Sequence, residues 1–66
     1  MRYNLLITDN KTNQIAFDTW YDNLQEANEM FNTLSQGVCV GYTIEIVFNN
    51  NGSCDLVKDY TPVFYR

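Results

Sequence analysis

An α+β fold of β-β-α-β-β order, with an antiparallel sheet of two hairpins and one helix packed on one face, is the class this sequence predicts. Three observations predict it. Tyr3, Leu5 and Ile7 recur at every second position, and so do Tyr42, Ile44, Ile46 and Phe48, which is the period of a half-buried strand. Between them Leu24, Ala27, Phe31 and Leu34 follow helical spacing. Asn51-Gly52 is the strongest hairpin signal in the chain, because a two-residue type I′ turn needs positive φ at both positions.

The first hairpin is expected from strands over 3–8 and 14–21, joined by the polar Asp9-Asn10-Lys11-Thr12-Asn13. Tyr3, Leu5, Ile7, Ile15 and Phe17 are expected to share its better-buried face, with Asn4, Leu6, Thr8, Ala16, Asp18 and Trp20 opposite. The helix is expected to start at Asn23. That residue and Glu26 three positions later make a capping-box pattern, in which the Asn oxygen accepts from a free backbone amide and the Glu reaches back. It runs to about Gln36 and stops at Gly37, which takes the left-handed conformation without a Cβ penalty. Val38 to Gly41 is expected to be a packed and partly extended link, since two β-branched residues flank Cys39.

For the second hairpin, Asn51-Gly52 in the turn places Asn50 opposite Ser53, Val47 opposite Leu56, Glu45 opposite Lys58 and Thr43 opposite Tyr60. The Glu45–Lys58 pairing supports this register, because opposite charges across a sheet contribute roughly 0.2 to 1 kcal/mol. It turns Ile44, Ile46, Phe48 and Val57 toward the helix, together with Asp55 and Asp59. Those two aspartates are therefore expected near strand ends or beside a bulge. Thr61 to Arg66 is too apolar for a solvated tail and is expected to pack or to add a short edge strand after Pro62.

One domain is the expected organisation over 1–66, because a chain of this length supports a single core. No apolar run approaches the ~20 residues of a membrane span, so a soluble cytoplasmic protein without a signal peptide is expected. Arg2, Lys11, Lys58 and Arg66 oppose eight carboxylates, for a net charge of -4. That balance argues against nucleic acid and against anionic membrane as partners, since affinity for phosphates comes mainly from clustered Lys and Arg. A negative surface steers instead toward basic partners, and also keeps a small protein soluble.

The sequence has no histidine, the usual acid/base group at neutral pH and the commonest metal ligand. Neither a catalytic residue, a metal ligand nor a cofactor site is assigned, and a non-enzymatic role is expected. Cys39 and Cys54 would lie roughly 30 Å apart in extended strands, too far for a disulfide. They are expected to be reduced and mostly buried. Asn50-Asn51-Gly52-Ser53 lacks the spacing of a phosphate loop and precedes a strand, so it reads as a turn.

Two surfaces remain as candidate partner sites. Asp18, Asp22, Glu26 and Glu29 form an acidic edge along the start of the helix, in a stretch with no cation between Lys11 and Lys58. The simpler account of the helix acids is that they complement the macrodipole, at about 0.3 to 1 kcal/mol each. Leu6, Trp20, Val47, Leu56 and Tyr60 are expected on the sheet face turned away from the helix, where so much apolar area implies a partner or a lid. The lid could be supplied by Val63, Phe64 and Tyr65. Exposed aromatics on a sheet also serve RNA-binding domains, but the net charge opposes that use.

In size, acidity and lack of catalytic residues the chain resembles the small proteins of phages and mobile elements, including anti-CRISPR and other anti-defence inhibitors. Its Asn-, Ile-, Tyr- and Phe-rich composition fits an AT-rich genome. The resemblance implies an inhibitor that engages a basic groove of a host protein, with Asp18, Asp22, Glu26 and Glu29 standing in for phosphates. The alternative is a small-ligand-binding or self-assembling domain, homodimeric through the open face or an edge.

Overall fold

A computed structural model describes residues 2–63. The elements are β1 (Tyr3–Asp9), β2 (Gln14–Tyr21), α1 (Leu24–Ser35), β3 (Tyr42–Asn50) and β4 (Ser53–Tyr60). The strands form one antiparallel sheet of order β2-β1-β3-β4. Because β2 and β3 are both antiparallel to β1, the helix connects two strands that run parallel on either side of it. The expected β-β-α-β-β fold is what the chain adopts.

The second turn forms as its residues require. Asn51 and Gly52 have φ of 50° and 90°, and Asn50 pairs with Ser53. In the first hairpin the turn is held by local bonds: the Lys11 amide donates to the Asp9 carboxylate at 2.9 Å, and the Asn13 amide donates to the Asp9 carbonyl at 2.7 Å. Asn13 takes a positive φ of 60°, a conformation its short polar side chain tolerates.

Leu5, Ala27, Phe31, Ile44 and Ile46 form the buried core, with Tyr3, Ile7, Tyr21, Leu24, Met30, Leu34 and Val38 packed around it. Leu5 pairs with Ile46, and Ile7 with Ile44, across the two central strands. The helix lies over β1 and β3 and touches β2. A single helix about 10 Å across covers only about two strands spaced about 4.8 Å apart. The sheet's margins are therefore open, and Phe17 and Tyr60 on the edge strands are 40% and 43% exposed.

Two β-bulges alter the expected registers. In β2 the pairing steps from Ile7↔Phe17 to Thr8↔Ile15, leaving Ala16 as the extra residue. Ile15 is thereby set opposite Thr8 rather than on the core face with Phe17. In β4 the pairing steps from Val47↔Leu56 to Ile46↔Lys58, leaving Val57 as the extra residue. Beyond it every partner differs from the uninterrupted register: Glu45 faces Asp59 and not Lys58, and Tyr60 faces Ile44 and not Thr43. An extra residue inverts the facing of all that follow it.

The bulge has a physical return. It turns Lys58 to the helix side, where its ammonium donates to Asn28 Oδ1 at 3.1 Å and lies 4.4 Å from the centre of the Phe31 ring. The aliphatic stem covers the core beside Ile46 while the charge reaches the helix surface. It also removes Asp59 from the helix side, whereas Asp55 stays there opposite Phe48.

Three smaller expectations are corrected. Gly37 is absent from the positive-φ residues, and the helix ends with the Leu34 carbonyl accepting from the Gly37 and Val38 amides at 3.0 and 2.9 Å. The left-handed glycine is Gly41, with φ of 100°, in a link that forms a turn and not a strand. Cys39 and Cys54 are free and exposed rather than buried, because one lies in that link and the other on an edge strand. Thr61 to Val63 add no strand, and the expectation for Phe64, Tyr65 and Arg66 falls outside the described residues.

Candidate functional site

The registers assign every strand residue to a face. With Leu5, Ile44 and Ile46 against the helix, the paired residues Asn4, Leu6, Thr8, Thr43, Glu45 and Val47 point the other way. Following each pair outward gives rows that cross the sheet. One row runs Trp20, Asn4, Val47, Leu56, and the next runs Asp18, Leu6, Glu45, Asp59. Strand spacing of about 4.8 Å sets neighbours within a row, and two residues of strand, about 6.7 Å, separate the rows.

The open face is thus an apolar row beside an acidic one. Trp20 is 40% and Leu56 57% exposed, while Leu6, Glu45 and Val47 on the central strands are half-buried. Asn4 fixes one end of the acidic row. Its Nδ2 donates to Asp18 Oδ1 at 2.6 Å and to the Thr19 carbonyl at 2.8 Å, which uses both amide protons and holds the Asp18 carboxylate against the sheet. At the other end Glu45 and Asp59 stand directly opposite each other. Like charges in that position are destabilising in a sheet. Beyond this row Thr43 Oγ1 is bonded to Thr61 Oγ1 at 2.9 Å and donates to Asn10 Oδ1 at 3.0 Å, closing the face with neutral hydroxyls.

No family model, curated protein or solved structure matches this chain. The site must be read from its own geometry.

Of the residues expected on the open face, Leu6, Trp20, Val47 and Leu56 are there, and Tyr60 is not. The β4 bulge turns Tyr60 to the helix side, opposite Ile44. The acidic edge does not form as one surface either. Asp18 pairs with Leu6 and lies on the open face, across the sheet from the helix that carries Glu26 and Glu29. Glu26 takes part in the cap: its amide donates to Asn23 Oδ1 at 2.9 Å, and its Oε1 accepts from Asn23 Nδ2 at 2.8 Å. Glu29 accepts from Gln25 Nε2 at 3.5 Å and is otherwise a solvated helix acid. Asp22 precedes the cap, is exposed, and has an interaction of its own. Of the helix acids, only Glu26 lies in the first turn, where it takes part in the cap.

That account predicts a stability effect. Asn23→Ala removes the cap acceptor and should lower the unfolding free energy by about 0.5 to 2 kcal/mol, read as a lower urea midpoint with an unchanged slope.

Glu45 and Asp59 are the residues the sequence did not offer as a site. Each looks ordinary alone, and only the β4 bulge puts Asp59 beside Glu45. Among the described residues there is no pocket and no group of three metal-ligating side chains, and no helix is long and apolar enough to cross a membrane. The chemistry available is that of a face: an aromatic and aliphatic strip bordered by carboxylates.

Proposed function

We propose that this chain is a non-enzymatic protein-interaction module, and that the sheet face turned away from the helix binds a partner carrying basic side chains beside an apolar ridge. The observation that carries the reading is the acidic row Asp18, Glu45 and Asp59 lying next to Trp20, Val47 and Leu56. An amphipathic helix about 10 Å across can cover both rows at once, its apolar side on Trp20 and Leu56 and its Lys or Arg side chains on the carboxylates.

The charge arrangement supports this more than a solubility role does. Solubility is served by any surface acid, and Glu45 opposite Asp59 is an unfavourable way to place two. In the setting suggested by size and acidity, that of a phage or mobile-element inhibitor, the acidic row rather than the helix edge occupies a basic groove of a host protein.

The test uses isothermal calorimetry with two synthetic peptides of equal positive charge, one an amphipathic Leu/Lys helix and the other with its leucines replaced by serine. The amphipathic peptide should bind, more weakly as salt rises because exposed charges are screened over about 8 Å at physiological ionic strength. The combined D18N, E45Q and D59N variant should lose at least tenfold in affinity, a change of about 1.4 kcal/mol, while E29Q leaves it unchanged. Equal binding by the triple variant, or an equal loss in E29Q, would count against the open face.

A further inference from the structure

We propose that two copies of this chain pair through β2, antiparallel about a twofold axis at Thr19, joining their sheets into one. This uses the backbone edge of β2 and does not rest on the open face having a partner.

The two outer strands of the sheet are β2 and β4, and they differ as edges. The outer margin of β4 is broken near its middle by the extra Val57, the strand carries Lys58, and Pro62 follows it. Bulges, lysines and prolines are devices that block pairing at a sheet edge. β2 contains neither Lys nor Pro, and its extra residue, Ala16, lies toward the hairpin end. Residues 17–21 remain a regular stretch.

Which backbone groups that stretch offers follows from its bonds. The Thr19 carbonyl accepts from Asn4 Nδ2 at 2.8 Å and the Tyr21 carbonyl from the Arg2 amide at 3.2 Å, so both residues turn toward β1. Alternation along the strand then sends the N–H and C=O of Asp18 and Trp20 outward.

An antiparallel pair about a twofold axis must set outward residues opposite outward residues, so its centre falls on a residue, and centres at Asp18, Thr19 or Trp20 keep at least three pairs within the regular stretch 17–21. Centring on Asp18 puts that carboxylate against its own copy. Centring on Trp20 puts Asp18 against Asp22. Only the Thr19 centre avoids like charges. It sets Asp18 opposite Trp20, Phe17 opposite Tyr21 and Thr19 opposite itself, so its pairs include the aromatic and hydroxyl combinations that favour strand association. The same pairing covers Phe17 and Trp20, each 40% exposed, and makes the isologous contact usual in homodimers.

The test combines solution mass with a register-specific cross-link. Light scattering on the unmodified chain should show the mean mass rise toward twice the monomer as concentration increases to about 1 mM. W20P removes an amide that points away from β1, so it should remain folded by circular dichroism and stay monomeric. In a C39S, C54S background, mild oxidation should convert T19C to a covalent dimer at least tenfold faster than F17C, whose thiols would stand about four residues apart along the strand. A chain that is monomeric throughout that range, or a T19C no faster than F17C, would overturn the proposal. Should T19C fail to fold, the mass of the unmodified chain and of W20P decides alone.

Discussion

Phe31→Ala should remove most or all of the stability of this fold. Phe31 is one of five buried core side chains among the described residues, and it also supplies the ring beneath the Lys58 ammonium. Truncating a buried phenylalanine costs about 3 to 5 kcal/mol. A chain of this length has roughly 3 to 10 kcal/mol in total, at about 0.05 to 0.15 kcal/mol per residue, and so small a core places it toward the lower end. The expected result is a chain with weak near-ultraviolet circular dichroism and no cooperative urea transition, or one with a midpoint near zero. Lys58→Met separates the two roles of the ring. It keeps the apolar stem and loses the cation, and should cost only about 1 kcal/mol, the scale of a cation–π contact.

Asp59→Lys should act in opposite directions on stability and on binding. Asp59 faces Glu45 across β3 and β4, so the substitution turns a like-charge pair into an opposite-charge pair. That change is worth roughly 0.2 to 1 kcal/mol, and each 1 kcal/mol raises the melting temperature of a domain this small by about 4 to 8 °C. Binding of a basic amphipathic peptide should fall. One exposed contact contributes about 1 kcal/mol at 4 Å, and reversing it removes the attraction and adds a repulsion, for a loss on the order of tenfold or more. A residue placed only for solubility would not couple a gain in melting temperature to a loss of partner binding.

Much of the fold was legible because local signals and global pattern agree. Asn23 caps the helix as its spacing with Glu26 predicts, although Glu26 reaches back to the Asn23 side-chain amide and not to its backbone N–H; Asn51-Gly52 forms the hairpin turn, and the Leu24, Ala27, Phe31, Leu34 stripe is the buried side of the helix. The bulges were not legible from periodicity. Ala16 and Val57 are ordinary strand residues, and neither a glycine nor a proline marks the extra position. One clue for the second bulge was present. An unbroken register buries Asp59 against the helix and leaves Leu56 and Val57 as adjacent apolar residues on opposite faces. The apparent Glu45–Lys58 pair concealed it, because a favourable contact looked like confirmation of the wrong alignment.

The site was legible in part for the same reason. Val47 and Leu56 lie on the turn side of the β4 bulge, and Leu6 and Trp20, although beyond the Ala16 bulge, alternate regularly with Leu5 and Phe17, so all four have the face their spacing predicts. Tyr60 and Asp59 lie beyond the β4 bulge and exchanged faces. Asp18 was grouped with the helix acids by closeness in sequence, whereas strand alternation sends it to the far side of the sheet, where Asn4 holds it. The proposed surface is therefore divided in sequence among all four strands, and only cross-strand register brings it together.

We propose that the open face, and not the helix edge, meets the partner. Amide chemical-shift mapping of the nitrogen-15-labelled chain, titrated with the amphipathic Leu/Lys peptide, tests it most directly. The account predicts that the largest shifts fall on Leu6, Asp18, Trp20, Glu45, Val47, Leu56 and Asp59, with Asn23 to Glu29 little changed. Shifts concentrated on Glu26 and Glu29, or spread evenly over all the acidic residues, would contradict it.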